Sequence, residues 1–74
     1  MVKRRMVDIR KLFGDDELRS ALQIIRDIPS GKGRTDRLVE VVRPALPSIN
    51  EKTGQDNDAR YLAYALEYAL SKSH

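Results

Sequence analysis

The chain has 74 residues, no cysteine and a net charge of +3. One small domain of this size buries only about 60% of its unfolded surface, and without cysteine neither a disulfide nor a thiolate–metal site can supplement its core. Residues 1–10 are charged throughout and do not read as a signal peptide, and no stretch approaches the roughly 20 apolar residues of a membrane span. The expectation is therefore a cytoplasmic protein, residues 1–74 forming a single helical domain with 71–74 as a frayed tail.

The charge is uneven. Up to Arg43 there are eleven lysines and arginines against seven acids, and from Pro44 onward three against four. A basic first part suits a nucleic acid or an acidic partner. Ordinary surface statistics also produce such unevenness.

Taken in order, Val2, Met6, Ile9 and Phe13 recur at helical spacing. They predict a first helix from about Lys3 to Leu12, with Gly14 as its stop. A strand over 7–13 is the alternative, but its alternation breaks at Lys11 and Leu12. Asp15, Asp16 and Glu17 then open a second helix at the end where acids favour the dipole, with an Asp as cap. Leu18, Ala21, Leu22, Ile24, Ile25 and Ile28 carry it to Pro29. Residues 30–34 read as a loop, with Thr35 as the N-cap of a third helix bearing Leu38, Val39, Val41 and Val42. Pro44 disfavours helical geometry at Arg43, so this helix is expected to end or kink there. Ser48 and Glu51 match a capping box and suggest a further single turn over 49–53, stopped by Gly54. Asp56 or Asn57 can cap a final helix from about Asp58 to Ser71. The expected fold is all-α: a compact orthogonal bundle of four to five short helices.

The final helix is apolar on more than one side. At about 100° per residue, Ala59, Leu62, Ala63, Leu66, Ala69 and Leu70 share one face, and Tyr61, Tyr64 and Tyr68 share another. Tyr61 and Tyr68 can edge the core, with ring buried and hydroxyl wet. Tyr64 lies furthest from the leucines and points to an outside protein partner.

The segment Gly31-Lys32-Gly33-Arg34-Thr35 is the candidate anion site. Its glycines free backbone amides, its cations flank them, and a helix N-terminus follows. It is not a P-loop, and a solvated connector is the plainer reading. A helix-turn-helix comparison would place Arg34, Thr35, Asp36 and Arg37 at DNA bases, but the connection is longer than that motif uses. Residues 56–67 begin like a calcium loop and fail at Arg60 and Tyr61. The single histidine, His74, is terminal, so no metal set or nucleophile pair can be assembled around it.

These observations favour a non-enzymatic binding module without cofactor, metal or small-molecule substrate. In the leading reading it is a regulator that contacts nucleic-acid phosphates through Lys3, Arg4, Arg5, Lys32, Gly33, Arg34, Thr35 and Arg37. The competing reading is a protein-interaction or homodimeric adaptor module that uses Tyr61, Tyr64 and Tyr68. The two are compatible, since many small DNA binders are dimers.

Overall fold

A computed structural model describes residues 9–72. The predicted first helix falls largely outside them, and Lys3, Arg4 and Arg5 with it. Its last residues form a 3-10 turn, Ile9–Leu12, in place of α-helix. Three α-helices follow rather than four to five: α1 (Asp15–Asp27), α2 (Lys32–Thr53) and α3 (Ala59–Lys72). No strand occurs among the described residues.

Gly14 opens α1 instead of closing the helix before it. Glu17 reaches back so that its Oε1 accepts the Gly14 N–H at 2.6 Å. This satisfies a donor that an Asp cap would have left outside the helix, while Asp15 and Asp16 remain in the first turn at the positive end of the dipole. The helix ends at Ile28, which is extended (φ −118°, ψ 126°) as its neighbour Pro29 requires.

The largest departure from expectation is α2. It begins four residues early, with Gly31 and not Thr35 before its first residue Lys32, and runs unbroken through Pro44 and Pro47 to Thr53. Gly31 precedes it with φ 147°, a conformation that excludes L side chains without strain. The stripe Thr35, Leu38, Val42, Ala45 and Ile49 is buried along the whole length, with Val39 beside it. Burial of that stripe outweighs the local cost of two prolines, about 3 kcal/mol for each one inside a helix. Pro44 and Pro47 face outward, and so do Glu40 and Arg43, whose carbonyls lose their helical donors. Water can replace those donors. Ser48 therefore lies within α2 and begins no new turn.

Gly54 closes α2 in the left-handed conformation (φ 73°), its N–H donating to the Asn50 carbonyl at 2.9 Å. The connection to α3 is held by Asn57. Its backbone N–H and side-chain amide both donate to Asn50 Oδ1 at 2.8 Å, and the amide also donates to Thr53 Oγ1 at 3.0 Å. Asp58, rather than Asp56 or Asn57, caps α3: its Oδ1 accepts the Arg60 N–H at 3.3 Å.

The core lies where α1 and α3 pack on α2. Phe13, Ala21, Leu38, Val42, Ile49, Leu62, Ala63, Leu66 and Leu70 belong to it, and Ile9 and Leu12 of the 3-10 turn pack against it. Among the described residues no helix is long and apolar enough to cross a membrane.

Candidate interaction surfaces

The predicted anion segment divides into two parts. Thr35 is buried and its hydroxyl donates to the Gly31 carbonyl at 3.2 Å, so it is a residue of the second helical turn and not an exposed cap. Arg34 is turned inward. Its Nε donates to Glu67 Oε2 of α3 at 2.7 Å, and its NH1 donates to the Ile25 and Ile28 carbonyls at 3.2 and 3.3 Å. The two side chains are only 13% and 16% exposed. One guanidinium thus joins all three helices: it extends from the start of α2, neutralises the carbonyl end of α1 and pairs with α3. It has no fork left for a phosphate.

Lys32 and Gly33 stay exposed. Arg37 is exposed as well, 3.7 Å from Glu40 in a surface pair. Of the predicted nucleic-acid contacts within the described residues, Lys32, Gly33 and Arg37 face solvent, and Arg34 and Thr35 serve the fold.

A second tie between α2 and α3 was not expected from the sequence. Arg60 NH2 donates to Asp36 Oδ1 at 2.9 Å, with both side chains about half exposed. The Asp36 carboxylate, followed by the Tyr64 hydroxyl, holds the Arg60 guanidinium above its ordinary pKa. A charge at 36 and another at 60 carry no local pattern, so only their pairing across helices reveals this contact.

The outer face of α3 is aromatic. Its leucine side is covered as expected, with Leu62, Ala63, Leu66 and Leu70 buried. Tyr61, Tyr64 and Tyr68 all remain outside, at 65%, 55% and 66% exposure. Tyr61 and Tyr68 therefore do not edge the core, and it is Tyr64 that is the least exposed of the three. The reason is geometric. Two helices and a short turn cover one side of α3, and nothing among residues 9–72 reaches round to the other. Lys72 lies back over the stripe, with Nζ 5.2 Å from the Tyr68 ring centre and 3.3 Å from its hydroxyl.

The two predicted sites meet at one edge. An open hollow of about 460 Å³ is lined by Gly31, Lys32 and Thr35 from the α2 end and by Arg60, Tyr64 and Glu67 from α3. Lys32, which stands between two glycines, and Arg60, distant from it in sequence, are thereby brought beside the Tyr64 ring. No protein-family model, curated protein or solved structure matches this chain.

Proposed function

We propose that this chain is a cytoplasmic protein-interaction module whose docking surface is the tyrosine face of α3. One observation carries the reading: three tyrosine rings, each more than half exposed, stand in one stripe on a helix whose opposite side is anchored in the core. Leu22 is the remaining exposed large apolar side chain among the described residues, and it is only 37% exposed. Aromatic rings of this kind bury large areas while ordering few torsions, which is why tyrosine is concentrated at the energetic centres of interfaces. The helix beneath them is already ordered, so a partner meets a prepared surface and little further entropy is lost.

The nucleic-acid reading has less support, because Arg34 and Thr35 are engaged within the fold. A photo-reactive phenylalanine analogue placed at Tyr64, with Arg26 on α1 as the control position, tests the proposal in extracts of the producing cells. Adducts to protein from position 64 and none from position 26 are the expected result. Equal adducts from both positions, or none from position 64, would overturn it.

A further inference from the structure

The tyrosine stripe belongs to a longer seam. Asp58, Tyr61, Ala65, Tyr68 and Lys72 follow one another at spacings of three, four, three and four residues, which keeps them on one line along a helix. All are exposed except the half-buried Ala65. The seam carries an acid at one end, a base at the other, two rings between them and a small residue at the middle. Turned end for end, it matches itself. A two-fold axis passing beside Ala65 would set Tyr61 of one copy against Tyr68 of the other. It would also bring Asp58 at each end to Lys72 of the opposite copy, across a seam roughly 20 Å long. Ala65 at the crossing lets the two backbones approach within the usual 8–10 Å or so. Lys72 already bends over Tyr68, so its charge lies on the seam.

Resting on the reading of α3 as a docking surface, we infer that the occupant of this surface is a second copy of the chain, bound antiparallel, α3 against α3. The self-complementary order of charges carries the choice, since an unrelated partner would need no such symmetry. At about 200 Å² for a tyrosine, the exposed parts of the two seam rings supply roughly 500 Å² over both copies. Asp58, Ala65 and the Lys72 stem bring the total to about 800–900 Å², below the usual size of stable specific interfaces. The dimer is therefore weak and exchanges with monomer.

Sedimentation velocity of the full chain tests this between about 10 µM and 1 mM, the range in which so small an interface associates. The sedimentation coefficient is expected to rise with concentration and to stop rising in Tyr61→Ser/Tyr68→Ser. Lys72→Glu places two acids together at each end and is expected to weaken association about tenfold, the scale of two exposed ion pairs reversed. Asp58→Asn keeps the helix cap, and in the Lys72→Glu background it is expected to recover part of that loss. Far-ultraviolet circular dichroism establishes that each variant is folded. A strict monomer at 1 mM overturns the inference, and so does a dimer indifferent to Lys72→Glu. Adducts from position 64 to a different protein, together with a strict monomer, would overturn the second copy as occupant and leave the docking surface standing.

Discussion

Replacing Arg34 by alanine removes one side chain from three helices at once. Glu67 would keep a carboxylate that is 84% hidden from water and has lost its cation, and the Ile25 and Ile28 carbonyls would lose their shared donor. Breaking a fully buried ion pair from one side costs about 3–5 kcal/mol. Here Glu67 borders the open hollow, so water can partly rehydrate it, and the expected loss is about 2–3 kcal/mol. A 74-residue domain has about 4–11 kcal/mol of stability in all. The midpoint of thermal unfolding should fall by about 10–20 °C. Thermal and urea melts followed at 222 nm measure this directly. Arg34→Lys retains charge but not the planar fork, and should fall between wild type and Arg34→Ala. The diagnostic variant is Arg34→Met/Glu67→Met. Removing both charges leaves no orphaned carboxylate, so the double variant should be more stable than Arg34→Ala despite carrying two changes. A loss below about 0.5 kcal/mol for Arg34→Ala, within the range of an ordinary surface change, would refute the three-helix role.

Three further predictions follow from the packing. Leu66→Ala empties a fully buried site and should cost about 2–5 kcal/mol, whereas Tyr64→Ser should shift the urea midpoint by less than about 0.5 kcal/mol equivalent; equal losses would contradict the division of α3 into a buried and a free side. Pro44→Ala restores an N–H inside α2 at an exposed position and should raise the melting midpoint by the equivalent of about 1–3 kcal/mol, while a lower midpoint would mean that the proline shapes the helix in a way the core depends on. Gly54→Ala forces a Cβ into the left-handed region at the end of α2 and should cost about 1 kcal/mol in the same melts; an unchanged midpoint would place the helix end elsewhere.

The all-helical character, the span of α1 and the leucine side of α3 were legible because each rests on a repeat of apolar residues within one segment. The continuity of α2 was hidden by two local rules that tertiary packing overrode. Pro44 marks an end or kink by local geometry and Thr35 a cap, yet residues 35, 38, 42, 45 and 49 form one unbroken buried stripe. α1, α2 and the 3-10 turn all pack on the leucine side of α3, and this is why Tyr61 and Tyr68 end up outside. The role of Arg34 had no local signal at all. Its carboxylate partner is 33 positions away, and a cation beside two glycines looks the same in sequence whether it awaits a phosphate or reaches into the fold.

The Arg34 contact also bears on how the molecule opens. Because the guanidinium is shared, lifting α1 from the bundle strips Arg34 of two carbonyl partners, and detaching α3 strips it of Glu67. Partial unfolding at that end is thereby suppressed, and amide exchange there should proceed only through opening of the whole domain. At the far end, the contacts among Asn50, Thr53 and Asn57 tie the α2–α3 connection to α2 and involve no residue of α1. The chain is in this sense hinged at one end and latched at the other, where Arg34 alone touches all three helices.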